Sequence, residues 1–242
     1  VPFAKVVLLL PAGLLFTGNV FFMVVGIRYT TSIVSQLFYL LTPVLVSLIG
    51  YILFGQRVSA KRIASMAICF IGSAVLVVRS IGGAALAQSV GTPLGNILIL
   101  SAVASWSCYV VYTKRISRTV APELFLTVNF LTALAVGTAG LMLSGTPVGG
   151  TLVQFARGGL PVILSLCALG LVNSIVFFFL MQWCLRQVSA FTVAATAYLS
   201  PLSAAVFAIP FFGERLSTPL LVGAACIGIG SYLILSEQKT KH

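Results

Sequence analysis

Ten polar or aromatic side chains sit inside long apolar runs of this sequence: Asn19, Gln36, Tyr39, Thr42, Ser105, Trp106, Tyr109, Asn173, Thr196 and Ser200. Amides, hydroxyls, phenols and an indole recognise a small molecule by hydrogen bonding and stacking, and they are poor general acids or bases at neutral pH. The usual agents of catalysis are missing around them. The sequence has no GxSxG and no HExxH, only three acidic residues (Glu123, Glu214 and Glu237), and one His, the last residue His242. Cys69, Cys108, Cys167, Cys184 and Cys226 form no CxxC pair and fall in or beside apolar runs, so neither a zinc site nor a disulfide framework is indicated. The residues point to binding without catalytic, metal or cofactor chemistry, which sets aside an intramembrane enzyme.

The elements that must carry these side chains are membrane helices. The chain has 242 residues, 60% of them hydrophobic and only 7% charged, too few charges to cover a water-facing surface. Eight continuous apolar stretches approach the length needed to cross a bilayer as helices: 6–25, 32–54, 62–78, 95–113, 124–143, 161–182, 189–212 and 219–235. Pro93, Pro122, Pro161 and Pro219 lie near predicted helix starts, where a missing N–H is harmless. Gly26, Gly55 and Gly213 follow predicted helix ends, where a left-handed residue is often needed. The net charge of +11 reflects missing carboxylates as much as abundant bases, and the bases are scattered between spans, so no nucleic-acid partner is expected.

Basic residues give an expected orientation. Lys5, Arg57, Lys61, Arg62, Lys114, Arg115, Arg118, Arg186, Lys239 and Lys241 fall on one side, and Arg28, Arg79, Arg157 and Arg215 on the other. The bias places both termini in the cytoplasm of a multi-pass protein of the cell membrane, inner or plasma. Arg28 and Arg186 are expected to snorkel to opposite interfaces.

The chain repeats itself. "LTPVLVSLIGYILFGQR" at 41–57 returns as "LSPLSAAVFAIPFFGER" at 199–215, an offset of 158 residues that also superposes Phe21 on Phe179, Arg28 on Arg186, Pro43 on Pro201 and Gly72 on Gly230. The copies fall on the second and seventh predicted spans, an offset of five, which is odd, so the two face opposite ways across the membrane. Inverted-topology repeats are typical of secondary transporters. Pro43 and Pro201 fall at mid-span, where each removes a helix hydrogen bond and frees the carbonyl of Tyr39 or Ala197; the pair is expected to form gating kinks.

The repeated segments, "GIRYTTSIVSQLFYLLTPVLVSLIGYILFGQRVSAKRIASMAICFIGSAVLV" and "CLRQVSAFTVAATAYLSPLSAAVFAIPFFGERLSTPLLVGAACIGIGSYLI", resemble the C-terminal part of an EamA-type domain of the drug/metabolite transporter superfamily. Gln56 stands where that family usually has the glutamate of its Gly-Glu-Arg turn, which Glu214 keeps. The resemblance implies an all-α membrane bundle of two five-helix halves, both termini cytoplasmic, around a central substrate path. On that basis residues 1–84 are expected to be a partial first repeat of three spans, lacking two N-terminal ones, and 85–242 a second repeat of five.

No Asp, Glu, His, Lys or Arg lies near any predicted span centre, which disfavours phosphate-bearing or strongly anionic cargo. The expected function is secondary transport, by alternating access and in the direction of export, of a small neutral, zwitterionic or lipophilic metabolite or drug. The partners are then the substrate and the lipid bilayer. The alternative is a non-transporting structural or partner-binding subunit derived from such a transporter. Small-residue spacing at Ser65–Cys69–Ser73 and Ala224–Gly228 suits either a homodimer or packing within one chain.

Overall fold

A computed structural model of the chain describes residues 3–54, 60, 63–65, 67–68, 71–72, 90–143, 145, 150, 153, 157–194, 211 and 218–239, and it contains helices and turns with no strand among them. The principal helices are α1 (Phe3–Gly26), α2 (Ser32–Tyr39), α3 (Thr42–Phe54), α4 (Pro93–Ile116), α5 (Pro122–Leu143), α6 (Gly159–Ala168), α7 (Phe178–Gln187), α8 (Ala190–Ala194) and α9 (Thr218–Lys239); a π-helical segment, Leu169–Phe177, joins α6 to α7.

Among the described residues, five stretches are long and apolar enough to cross a membrane: Val6–Gly26, Ser32–Leu53, Pro93–Ile116, Pro122–Leu143 and Gly159–Gln187. They coincide with the first, second, fourth, fifth and sixth expected spans. The eighth lies within α9, while most of the third and seventh falls outside the described residues. Exposed leucines, isoleucines and valines cover much of Gly159–Gln187, as suits helices solvated by lipid.

Helix boundaries follow local chemistry. α4 and α5 begin at Pro93 and Pro122, as their positions suggest. Thr31 caps α2, its hydroxyl accepting from the Val34 N–H at 3.2 Å. α1 ends at Gly26, but the reason is different from the one expected. The left-handed residues among those described are Gly91, Gly145 and Gly159, and Gly26 is not one of them. Gly26 sits in a close approach: a methyl group there would lie 3.0 Å from Ile99 Cδ1 and 3.1 Å from Leu98 Cβ, so those side chains would have to shift.

By contacts the chain divides into two compact units. The first comprises 1–17 and 112–189, the second 18–111 and 190–242. The first is centred on Leu9, Ile116, Val120, Phe125 and Val128. Phe16 meets Phe130 and Phe178 edge-on at 5.5 and 5.0 Å, the favoured geometry for aromatic quadrupoles. Lys114 in the last turn of α4 donates to the carbonyls of Leu185 and Val188, both at 2.6 Å, satisfying the end of α7. Arg186 of α7 returns the service, donating from Nε to the Ser117 carbonyl at 3.1 Å. Cations here complete the orphan carbonyls of two helix C-termini. Lys114→Met is expected to cost about 2 kcal/mol, because charged donors form the stronger hydrogen bonds. A lowered thermal midpoint of the detergent-purified protein, restored in part by Lys114→Arg, checks this.

The second unit is built on α2 and α3. Ile33, Val34, Leu37, Phe38, Leu40, Leu41 and Val44 pack with Val90, Ile99, Val103 and Ile227. A methyl group at Gly72 would lie 3.0 Å from the Gly223 carbonyl and 2.8 Å from Cys226 Cβ, so small residues of the third expected span and of α9 permit close packing within the chain.

Span two is interrupted at its middle. α2 stops at Tyr39, Leu40 and Leu41 form a turn, and α3 restarts at Thr42 with the buried Pro43 in its first turn. The Leu40 and Leu41 N–H groups bond three residues back, to Leu37 at 3.1 Å and Phe38 at 2.9 Å. The helix is thus broken just before the mid-span proline. Pro201, its counterpart, lies outside the described residues.

Candidate functional site

The second unit brings several of the candidate side chains into one region. Asn19, on α1 and 7% exposed, spends both amide hydrogens at once: Nδ2 donates to the Tyr39 hydroxyl at 2.8 Å and to the Ala102 carbonyl at 2.9 Å. It therefore ties the last residue of α2 to the middle of α4. A sequence pattern marks Asn19 but not a backbone acceptor, so this partner was not legible beforehand.

One turn along α4, a methyl group at Gly18 would approach Ser105 Oγ to 3.1 Å, which records how closely α1 and α4 meet beside that bond. Trp106 and Tyr109 stack at 5.3 Å with 23° between their planes. Tyr109 is fully buried and Trp106 half-buried. Gln36, on α2, is half-buried, and Thr42, the first residue of α3, is fully buried. The amide, phenol, hydroxyl and aromatic groups of these seven candidates all belong to the second unit.

Other polar residues of α2 and α4 are satisfied locally. Ser101 donates to the Ile97 carbonyl at 3.0 Å, and Ser35 to that of Ser32 at 2.8 Å. Tyr112 donates to the Leu8 carbonyl at 2.7 Å in the first unit, where it serves packing.

Asn173 belongs to the first unit and sits within the π-helical segment, in which Ser174 donates to the Leu169 carbonyl at 3.0 Å. The Asn173 side chain is outside what the structure describes, as are Thr196 and Ser200. The π segment carried no sequence signal beyond an Asn-Ser pair in an apolar run. Such wide turns recur at functional sites.

At one end of α4 the second unit is tied together. The Thr92 N–H and hydroxyl both donate to the Tyr29 carbonyl, at 2.7 and 2.9 Å. Thr30 donates to Asn96 Oδ1 at 2.6 Å, and Asn96 Nδ2 donates to the Val90 carbonyl at 2.9 Å. Gly95 makes this possible, since a methyl group there would lie 2.6 Å from the backbone carbon and oxygen of Tyr29.

Apolar helices of spanning length, with polar side chains bonded to one another between them, define a multi-pass helical membrane protein. The chain belongs to the EamA-like transporter family, which it matches over residues 93–236; this is a family of transporters rather than enzymes. It is similar to the "Probable amino-acid metabolite efflux pump" of Escherichia coli (strain K12), with 27% identity over 190 residues, 77% of this chain and 61% of that protein. A WAT1-related protein of Arabidopsis thaliana is 24% identical over 239 residues, 89% of this chain and 64% of its own length. The chain thus spans less than two thirds of these relatives. A solved crystal structure shares the fold, with a TM-score of 0.61 at 20% identity over 96% of this chain and 76% of the other.

Proposed function

We propose that this protein is a secondary transporter of a small neutral or zwitterionic metabolite, or of a lipophilic compound, and that it works by alternating access in a cytoplasmic membrane. Both termini lie in the cytoplasm, and the substrate moves outward. The observation that carries this reading is the Asn19–Tyr39 hydrogen bond at the edge of a proline-interrupted span. Polar groups and irregular backbone at membrane depth are tolerated where protein or a wet path covers them. The relatives named for efflux of amino-acid metabolites support the cargo class, and the absence of ionisable residues near span centres supports a cargo without net charge.

Asn19, Gln36, Tyr39, Thr42, Ser105, Trp106 and Tyr109, all in the second unit, contact the substrate, and their place in the sequence makes Asn173, Thr196 and Ser200 further candidates. Two repeats, 1–84 and 85–242, are inverted copies, and Pro43 and Pro201 are their matched hinges. Counterflow of radiolabelled neutral amino acids and of a lipophilic drug into proteoliposomes tests the function directly. Flux of at least one class above protein-free vesicles is expected; none with either would leave a structural subunit as the better account. Pro43→Ala restores a helix hydrogen bond, so it should leave membrane insertion unchanged while lowering turnover severalfold. Unchanged turnover removes that proline from the mechanism.

A further inference from the structure

Thr42 stands at the midpoint of span Ser32–Leu53, and it is also where a thirteen-residue helix begins. The first N–H groups of a helix have no intrahelical acceptor, and they form the positive end of its dipole. Pro43 has no N–H, so the Tyr39 carbonyl, four residues back, lacks its usual helical donor. A break in mid-span therefore sets donors and an acceptor at the depth of the bilayer centre.

A second observation is independent of the helix end. Thr42 is 0% exposed, and its Oγ1 has no hydrogen-bond partner among the described residues. A helical threonine commonly returns its hydroxyl to the carbonyl four residues earlier. Thr17 does so to Gly13 at 2.8 Å, and Thr127 to Glu123 at 2.9 Å. Ser101 and Ser107 follow the same rule. Thr42 departs from it, and a buried hydroxyl left unpaired is costly.

We propose that the start of α3 is a subsite for the carboxylate of a zwitterionic substrate, held by the Thr42 hydroxyl and the Thr42 and Val44 amides, since Pro43 has no N–H and the Leu45 N–H already bonds the Leu41 carbonyl at 2.9 Å. The Tyr39 carbonyl is the matching acceptor for the substrate's ammonium. This rests on the carrier reading above and narrows its cargo to amino-acid-like zwitterions. Such a ligand needs no buried arginine, because its own charges cancel and each end meets a partial charge of opposite sign. Thr42 is sealed in this conformation, so the ligand reaches it when the Leu40–Leu41 turn opens.

The full-length protein in proteoliposomes provides the test, with radiolabelled L-leucine as the transported probe and leucine, leucinamide and N-acetylleucine as unlabelled competitors. Leucinamide lacks the carboxylate and N-acetylleucine lacks the ammonium. Leucine should compete about tenfold or more better than either, as expected where a site is built to pair with a missing group. Thr42→Val should raise the KM for leucine about tenfold and reduce its advantage over leucinamide, with Thr42→Ser close to wild type. Equal competition by leucinamide, or an unchanged KM and unchanged discrimination in Thr42→Val, overturns the subsite. Flux of a lipophilic drug without flux of leucine overturns the subsite alone, and flux of neither overturns the carrier reading as well. Where Thr42→Val fails to fold, shown by loss of its monodisperse peak, the wild-type competition series still decides.

Discussion

Gly95→Val abolishes the yield of folded protein, and Gly95→Ala lowers the thermal midpoint markedly. The reason is geometric. The site of the added methyl is 2.6 Å from the Tyr29 backbone, and backbone cannot rotate aside as a long side chain can. Overpacking of this kind costs about 1–3 kcal/mol for one methyl and more for a branched residue. The displacement also falls on the Thr92 and Thr30 bonds to the same loop. Gly140→Ala is the control, since nothing lies within 4 Å of the added methyl, and helix propensity alone predicts a neutral or slightly stabilising change. Fluorescence-detected size-exclusion chromatography of the three variants reads the result, and a monodisperse Gly95→Val at wild-type yield would refute the close approach.

Asn19→Leu leaves the protein folded and lowers flux about tenfold or more. Leucine is well accepted in a membrane helix, but it removes both donors that hold the Tyr39 hydroxyl and the Ala102 carbonyl. Single interhelical hydrogen bonds in membranes contribute about 0.6 kcal/mol on average and up to about 1.7. Losing two costs modest stability, yet it frees the end of α2, which borders the interrupted turn. Proteoliposome flux, normalised to inserted protein, separates these effects. Tyr39→Phe removes one acceptor only and is expected to fall between the variant and the wild type. Wild-type flux and KM in Asn19→Leu would confine that amide to packing.

The helical architecture and the family were legible because bilayer thickness converts apolar length directly into spans, and Pro93 and Pro122 mark starts that the structure keeps. The mid-span proline announced irregular backbone at Pro43, although not that α2 would end four residues before it. Polar residues in apolar runs were a weaker guide. Ser35 and Ser101 are answered by carbonyls of their own helices, while Asn19 reaches across to two others. Spacing along a sequence cannot tell these cases apart, because a hydroxyl can bond its own helix locally and an amide at depth seeks partners elsewhere. Gly26 shows the same limit: its place at a helix end was readable, but the reason, the nearness of Leu98 and Ile99, depends on tertiary contact.

The exchange between Lys114 and Arg186 has one more implication. Every acceptor in it is a peptide oxygen, belonging to Leu185, Val188 or Ser117. A carboxylate partner would be neutralised by acid and its attraction dulled by added electrolyte, whereas an amide oxygen carries no proton to gain in that range. The fastening is therefore indifferent to acidification of the compartment it faces, and a proton gradient has no handle on it there.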